Sequence, residues 1–287
     1  MTSFGARLAG AMTDRGQLCV GIDPHAGLLA EWGLDATASG ARDFGLRVVE
    51  AAAGRVGVVK PQVAFYERYG SAGFAALEEV IAAARAAGLV VIADAKRGDI
   101  GTTMDGYADA WLGAGSPLES DAVTISPYLG PDSLRGMIAA AVREDKGLFV
   151  LAATSNPEAA GLQSAEVTVV EADRGQTVAD WVTQRAGAVN TSAAVGDDAF
   201  GPVGFVVGAT VDRAELGLTD DVLHRAAILA PGFGAQGARL SDIRDLFGAL
   251  APQVLASASR SILGAGPAGI ADAIDAHNAE LQKALHA

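Results

Sequence analysis

Cysteine occurs once, as Cys19. That rules out an internal disulfide framework and a Cys-based zinc site, and it fits a reducing compartment. The four histidines, His25, His224, His277 and His286, are scattered without ligand spacing, so no metal site is expected. Basic residues are in the minority, with 21 Lys and Arg against 34 Asp and Glu and a formal net charge of -13. An acidic surface repels phosphodiester backbones and anionic lipid, which argues against nucleic acid or a membrane surface as partner. No apolar run approaches the roughly 18 residues of a membrane span, and Arg7 and Asp14 interrupt any candidate signal-peptide core. The expectation is a soluble, cytoplasmic protein. What is present is ample core material: half of the 287 residues are apolar and 19% are charged, a normal globular balance.

Short apolar or β-branched runs recur between Gly, Pro and Asp: Leu18–Ile22, Val56–Lys60, Leu89–Ala93, Ala122–Ile125, Leu148–Ala152, Val203–Val207, Ala226–Leu229 and Val254–Ala258. They read as parallel strands, continuously hydrophobic because both faces are covered. Between them lie Ala/Leu/Glu/Arg-rich stretches of helical spacing, clearest over Ala41–Ala53, Gly73–Ala87, Ser133–Arg143, Val178–Val189 and Pro267–Leu285. Eight strands alternating with helices predict a closed (β/α)8 TIM barrel, a single domain over 1–287. An open doubly wound sheet would show a G-x-G-x-x-G turn after its first strand, whereas this one runs into Gly21-Ile22-Asp23-Pro24. Two surface excursions are expected, near 156–175, where Val167–Val170 is β-like, and near 191–202.

In such a barrel the working residues sit where strands end. The third strand ends in Asp94-Ala95-Lys96-Arg97-Gly98-Asp99. Strand residues two apart share a face about 6.5 Å apart, so Asp94 and Lys96 should point together into the barrel mouth. Lys60 ends the neighbouring strand. Buried charges need partners, so Lys-Asp-Lys calls for another carboxylate, and Asp99 is the obvious supplier. The blander reading is a salt-bridge network at the rim. Flanking carboxylates favour the ammonium form of Lys96, suiting it to donate a proton and stabilise a carbanion rather than form a Schiff base. A carboxylate facing a carboxylate substrate adds repulsion that vanishes with the departing carbon dioxide. Both arguments point to decarboxylation without a cofactor. After strands seven and eight, the Gly-rich turn Pro231–Gly237, including Gly234, and the Ser259-Arg260 pair make a candidate phosphate site of turn amides and guanidinium. Ser155 is a hydroxyl donor or a helix cap. Asp23 binds a ribose hydroxyl or initiates the turn before Pro24.

The segment Asp94–Thr103, DAKRGDIGTT, resembles the signature of the orotidine 5′-phosphate decarboxylases, and Val59–Glu67, VKPQVAFYE, resembles the second-strand segment of one bacterial branch. The likeness runs in order along nearly the whole chain. It implies conversion of orotidine 5′-phosphate to UMP and carbon dioxide, the last step of de novo pyrimidine nucleotide synthesis, with no metal and no organic cofactor. It implies a charged array of Lys60, Asp94, Lys96 and Asp99 in which Lys96 protonates C6 of the pyrimidine. It also implies a homodimer, with Asp99, Ile100 and Thr103 reaching into the neighbouring subunit's site and Ile100 lining the pyrimidine pocket. Asp23 would hold ribose hydroxyls, Ser155 the base, Gln236 base and phosphate, and Arg260 the phosphate. The nearest rival is a magnesium-dependent phosphosugar decarboxylase or aldolase of a related barrel. Such relatives carry an acidic metal ligand at the end of strand two, where this sequence has Lys60. A non-catalytic nucleotide-binding barrel is the other alternative, and it would be marked by loss of one charged member.

Overall fold

A computed structural model describes residues 2–192, 200–234 and 237–286. Eight parallel strands close on one another in chain order: β1 Leu18–Ile22, β2 Val58–Pro61, β3 Val90–Arg97, β4 Ala122–Ile125, β5 Gly147–Ala153, β6 Val203–Val207, β7 Ile228–Pro231 and β8 Val254–Ala258. The predicted (β/α)8 barrel is the observed fold. Alternating residues of each strand enter two separate cores, which is why the strands read as unbroken apolar runs. Leu18, Val20 and Ile22 face outward with Val91, Val123, Leu148 and Val150, against the helices. Cys19, Val58, Ile92, Ala122, Phe149 and Leu255 fill the lumen.

Helices Ala38–Ala52, Gly70–Ala86, Gly101–Leu112, Arg135–Arg143, Val178–Gly187 and Gly266–His286 cover the outside of the barrel. Between β6 and β7 the chain crosses in turns rather than a helix, and the buried Leu216, Leu218 and Leu223 do the covering. A helix over Phe4–Arg15, capped by Ser3 Oγ accepting from the Ala6 amide, closes the lower end. Its Phe4, Leu8 and Met12 recur every fourth residue, so they share one face. That face joins the lumen core, where Phe4 meets Phe149 edge-on at 6.4 Å. Full burial of side chains of this size stabilises by about 1.5–3 kcal/mol each, so the plug dries the floor beneath the barrel mouth.

The 156–175 excursion holds no strand. Its β-like run pairs only at its start: Val167 donates to the Gln176 carbonyl at 2.9 Å and accepts from the Gly175 amide at 3.0 Å, beside a single bridge from Glu166 to Thr177, and Val169 is then 92% exposed. Asp173 instead anchors the segment by accepting from Trp181 Nε1 at 3.1 Å and Arg185 at 2.5 Å. Most of the 191–202 excursion, residues 193–199, lies outside the described residues.

Candidate active site

The upper ends of the strands surround a cavity of about 580 Å³. Asp23, Lys60, Asp94, Lys96, Thr124 and Ser257 line one side, and Leu151, Val206 and Leu229 the other. Barrel closure brings β1 to β4 and β8 together at this point, so residues far apart in sequence become neighbours. Gly21 lies opposite Lys60 in the β1–β2 register. A Cβ there would come within 1.8 Å of Ser259 Oγ, so a side chain at this position would displace the Ser259 side chain from the β1 end.

Asp94 is the hub. Its Oδ2 accepts from Lys60 Nζ at 2.9 Å. Its Oδ1 accepts from Lys96 Nζ at 2.5 Å and from Thr124 Oγ1 at 2.9 Å. Lys60 and Asp94 are buried, with side chains 8% and 10% exposed, whereas Lys96 is 46% exposed and free to meet a ligand. Burial disfavours both buried charges, but each is held by the other. Although burial opposes its charge, the Asp94 carboxyl is pushed far below the usual carboxylate range by the Lys60 and Lys96 ammonium groups. Against its own burial, Lys60 is pushed above the usual lysine value by Asp94 and, secondarily, Asp23. Beneath them, burial pushes the Cys19 thiol up to about 12, so it stays protonated.

Asp94 and Lys96 do converge, though not along a regular strand. The β3–β4 register runs Ala93 to Val123 and then Arg97 to Ile125, so β3 holds extra residues in a bulge. Lys96 sits there with φ at 48°. Bulges re-aim side chains, and this one turns the lysine head back onto Asp94. Arg97 then points outside the barrel. It pairs with Glu67 and lies over the rings of Tyr107 and Trp111 at 5.6 and 5.8 Å, which ties the DAKRGD and VAFYE segments together.

Asp99 does not complete the array within this chain. Past Arg97 the backbone leaves the lumen for the Gly101–Leu112 helix. Asp99 Oδ1 accepts from the Ile100 amide at 2.8 Å, and Asp99, Ile100 and Thr103 are all absent from the cavity wall. Asp23, Ser155, Ser259 and Arg260 do line it. Asp23 Oδ1 is buried with no hydrogen-bond partner among the described residues. Arg260 is exposed at the rim and forms no ion pair among the described residues.

The Gly-rich turn differs from expectation. Gly232, with φ at 112°, lines the cavity, but Gly234 does not. The amides of Gly234, Gly237 and Ala238 donate to the carbonyls of Ala238, Gly234 and Gly232. They close the turn on itself rather than facing the cavity. Gln236 lies outside the described residues.

Sequence reasoning passed over Thr124, His25, Gln62 and Phe65, all on the cavity wall. Thr124 had a signal, a lone hydroxyl inside the four-residue apolar strand β4. His25 caps the Ala26–Glu31 helix through Nδ1, which accepts from the Leu28 amide at 3.3 Å, and nothing in its spacing marked it. Among the described residues no three His, Cys, Asp or Glu side chains converge as a metal site, and no helix is long and apolar enough to cross a membrane.

The sequence profile of the Orotidine 5'-phosphate decarboxylase / HUMPS family matches residues 16–273. An orotidine 5'-phosphate decarboxylase of a Nocardioides species is 51% identical over 263 residues, 92% of each chain. That of Corynebacterium glutamicum strain R is 48% identical over 269 residues, again 92% of each. A solved structure from Streptomyces avermitilis ma-4680 has a TM-score of 0.92 at 46% identity, covering 100% of this chain and 97% of its own. The Leishmania donovani OMP decarboxylase structure has a TM-score of 0.76 at 33% identity over 100% of both chains. On its sequence and its fold, the chain belongs to the orotidine 5′-phosphate decarboxylase family.

Proposed function

We propose that this protein converts orotidine 5′-phosphate to UMP and carbon dioxide, the last step of de novo pyrimidine nucleotide synthesis. The observation that carries the reading is the Lys60–Asp94–Lys96 array at the mouth of a barrel whose rim also bears Arg260. In the reaction, the bond from C6 to the carboxylate carbon breaks and its electron pair stays on C6 as a vinyl anion. Lys96 Nζ delivers a proton to C6, carbon dioxide leaves, and the lysine regains its proton from water. Asp94, held anionic, faces the substrate carboxylate and favours its loss. The ammonium groups stabilise the developing negative charge in a site that needs no rearrangement. Lys60 holds Asp94 in place and ionised.

Arg260 is the phosphate ligand and Asp23 the ribose ligand, its buried Oδ1, without a hydrogen-bond partner among the described residues, being suited to accept from hydroxyl donors. Ser155 and Gln236 contact the base, and Gln236 the phosphate as well. Phosphate affinity, remote from C6, then contributes to assembling the reacting centre. The working unit is a cytoplasmic homodimer in which Asp99, Ile100 and Thr103 of one subunit serve the cavity of the other. The 61% exposure of Ile100 and the departure of Asp99 from its own cavity support that arrangement.

A magnesium-dependent phosphosugar reaction fits less well. The end of β2 bears a cation bonded to Asp94, which repels a divalent metal where that chemistry places an acidic ligand. Purified protein assayed spectrophotometrically with orotidine 5′-phosphate, with and without chelator, tests the reading. Turnover insensitive to chelator is expected. Tight UMP binding with no turnover, or activity lost to EDTA and restored by Mg²⁺, overturns it.

A further inference from the structure

The Lys96 backbone is left-handed, at φ 48°. A side chain disfavours that conformation because Cβ crowds the following carbonyl, so the surroundings must hold it. The bulge between Ala93 and Arg97 also withdraws the strand-to-strand acceptor that the Lys96 amide would otherwise use. Thr124, on the adjacent strand and 1% exposed, supplies both needs. Its Oγ1 accepts from the Lys96 amide at 2.9 Å and donates to Asp94 Oδ1 at 2.9 Å. A hydroxyl has one proton, so the direction is fixed: Lys96 N–H to Oγ1, then Oγ1–H to the carboxylate. Each bond polarises the next. The same Asp94 oxygen accepts from the Lys96 ammonium, so backbone, hydroxyl, carboxylate and ammonium form one closed ring of contacts.

We propose that Thr124 is a positioning residue for the proton-donating lysine. Its hydroxyl holds the Lys96 backbone in the strained bulge and aims Asp94 Oδ1 at the Lys96 head. The inference rests on the decarboxylase reading above. Thr124 acts through Lys96 and Asp94, so its removal should reduce kcat far more than substrate affinity, which resides at the ribose and phosphate ends. Misplacing a reacting group by about 1 Å costs on the order of 100-fold.

Thr124→Val replaces the hydroxyl by a methyl of similar size, and Thr124→Ser restores it. In the Val variant kcat should fall about 10- to 100-fold with KM for orotidine 5′-phosphate within about threefold, and the Ser variant should recover to within about threefold of wild type. Amide hydrogen exchange at Lys96, followed without substrate, should accelerate at least about tenfold in the Val variant and return in the Ser variant, because only they differ in the acceptor. If the Val variant does not fold, Thr124→Ala is compared with Ser in the same way. A kcat within about twofold of wild type in the hydroxyl-free variant, a Ser variant as slow as it, or unchanged Lys96 exchange each overturns the proposal. Wild-type protein inert toward orotidine 5′-phosphate would instead overturn the decarboxylase reading, and the exchange measurement would still judge the role of Thr124.

Discussion

Replacing Asp94 by Asn separates the charge of the hub from its shape. The carboxylate accepts from Lys60, Lys96 and Thr124, whereas an amide must present an NH₂ donor on one side. Turned toward Oδ2, that donor meets the Lys60 ammonium; turned toward Oδ1, it meets both Lys96 and Thr124. In either orientation Lys60, with its side chain 8% exposed, loses the carboxylate that is its ion-pair partner among the described residues. Removing one member of a buried pair costs about 3–5 kcal/mol, because the survivor is left desolvated and uncompensated. At about 2 °C per kcal/mol for a chain of this length, Asp94→Asn should melt about 6–10 °C below wild type near neutral pH.

The pH dependence has a definite sign. The folded state depresses the pKa of Asp94 and so favours its ionised form; its contribution is complete above the unfolded carboxylate pKa of about 3.9 and is lost as pH falls below it. The gap between the two melting temperatures should therefore narrow on acidification below about pH 4. Scanning calorimetry of both proteins across that range is the check. A melting temperature within about 1 °C of wild type near neutral pH would refute the claim that Asp94 sustains a buried Lys60.

Other substitutions probe other parts of the site. Arg260→Ala should weaken affinity for the phosphorylated nucleotide about 10- to 100-fold, the loss of a charge-assisted phosphate contact; titration calorimetry showing an equal loss for the unphosphorylated nucleoside would remove Arg260 as the phosphate ligand. Lys96→Ala and Asp99→Ala should each suppress turnover, yet subunits exchanged between them should regain activity, because a hybrid dimer carries one intact site. No recovery after verified exchange counts against shared sites. At the lower end of the barrel, buried Glu119 accepts from Arg85 at 2.6 Å, Lys146 at 2.8 Å and the Gly115 amide at 2.8 Å. Although burial opposes it, these donors hold its carboxyl at about 2, so its stabilisation is present at neutral pH and fades as pH falls from the ordinary Glu range toward that value. Glu119→Gln should lower stability by about 3 kcal/mol by denaturant titration while leaving KM unchanged; a shift in KM would contradict a purely structural cluster.

Four strands, β1, β4, β6 and β8, have the bounds that their apolar runs predict. The reason is physical: a strand buried on both faces can hold little else. β3 shows the limit. Its apolar run stops at Ala93, but the strand continues to Arg97 because the bulge and the Thr124 hydroxyl carry pairing through charged residues. The opposite case is Val167–Val170, where pairing stops at Val167 and the β-branched Thr168 and Val169 turn to solvent. The plugging helix was written in the spacing of Phe4, Leu8 and Met12, a signal passed over because it precedes the first strand and lies outside the alternation. Thr124 was hidden for a related reason, since one hydroxyl in an apolar run does not reveal what it faces.

Sequence alone determined the number and order of the strands, the alternation that makes a barrel, and the ammonium and carboxylate groups at the strand ends. These are local properties, set by which side chains tolerate burial and by the repeat of the backbone. Tertiary structure decided which strand ends meet. It turned Lys96 back onto Asp94 through a strained bulge, sent Asp99 out of its own cavity, tied the Gly234, Gly237 and Ala238 amides to carbonyls of their own turn, and brought Arg260 to the rim. Those outcomes depend on closure of the sheet and on the direction the chain takes after each strand, quantities that no window of neighbouring residues contains.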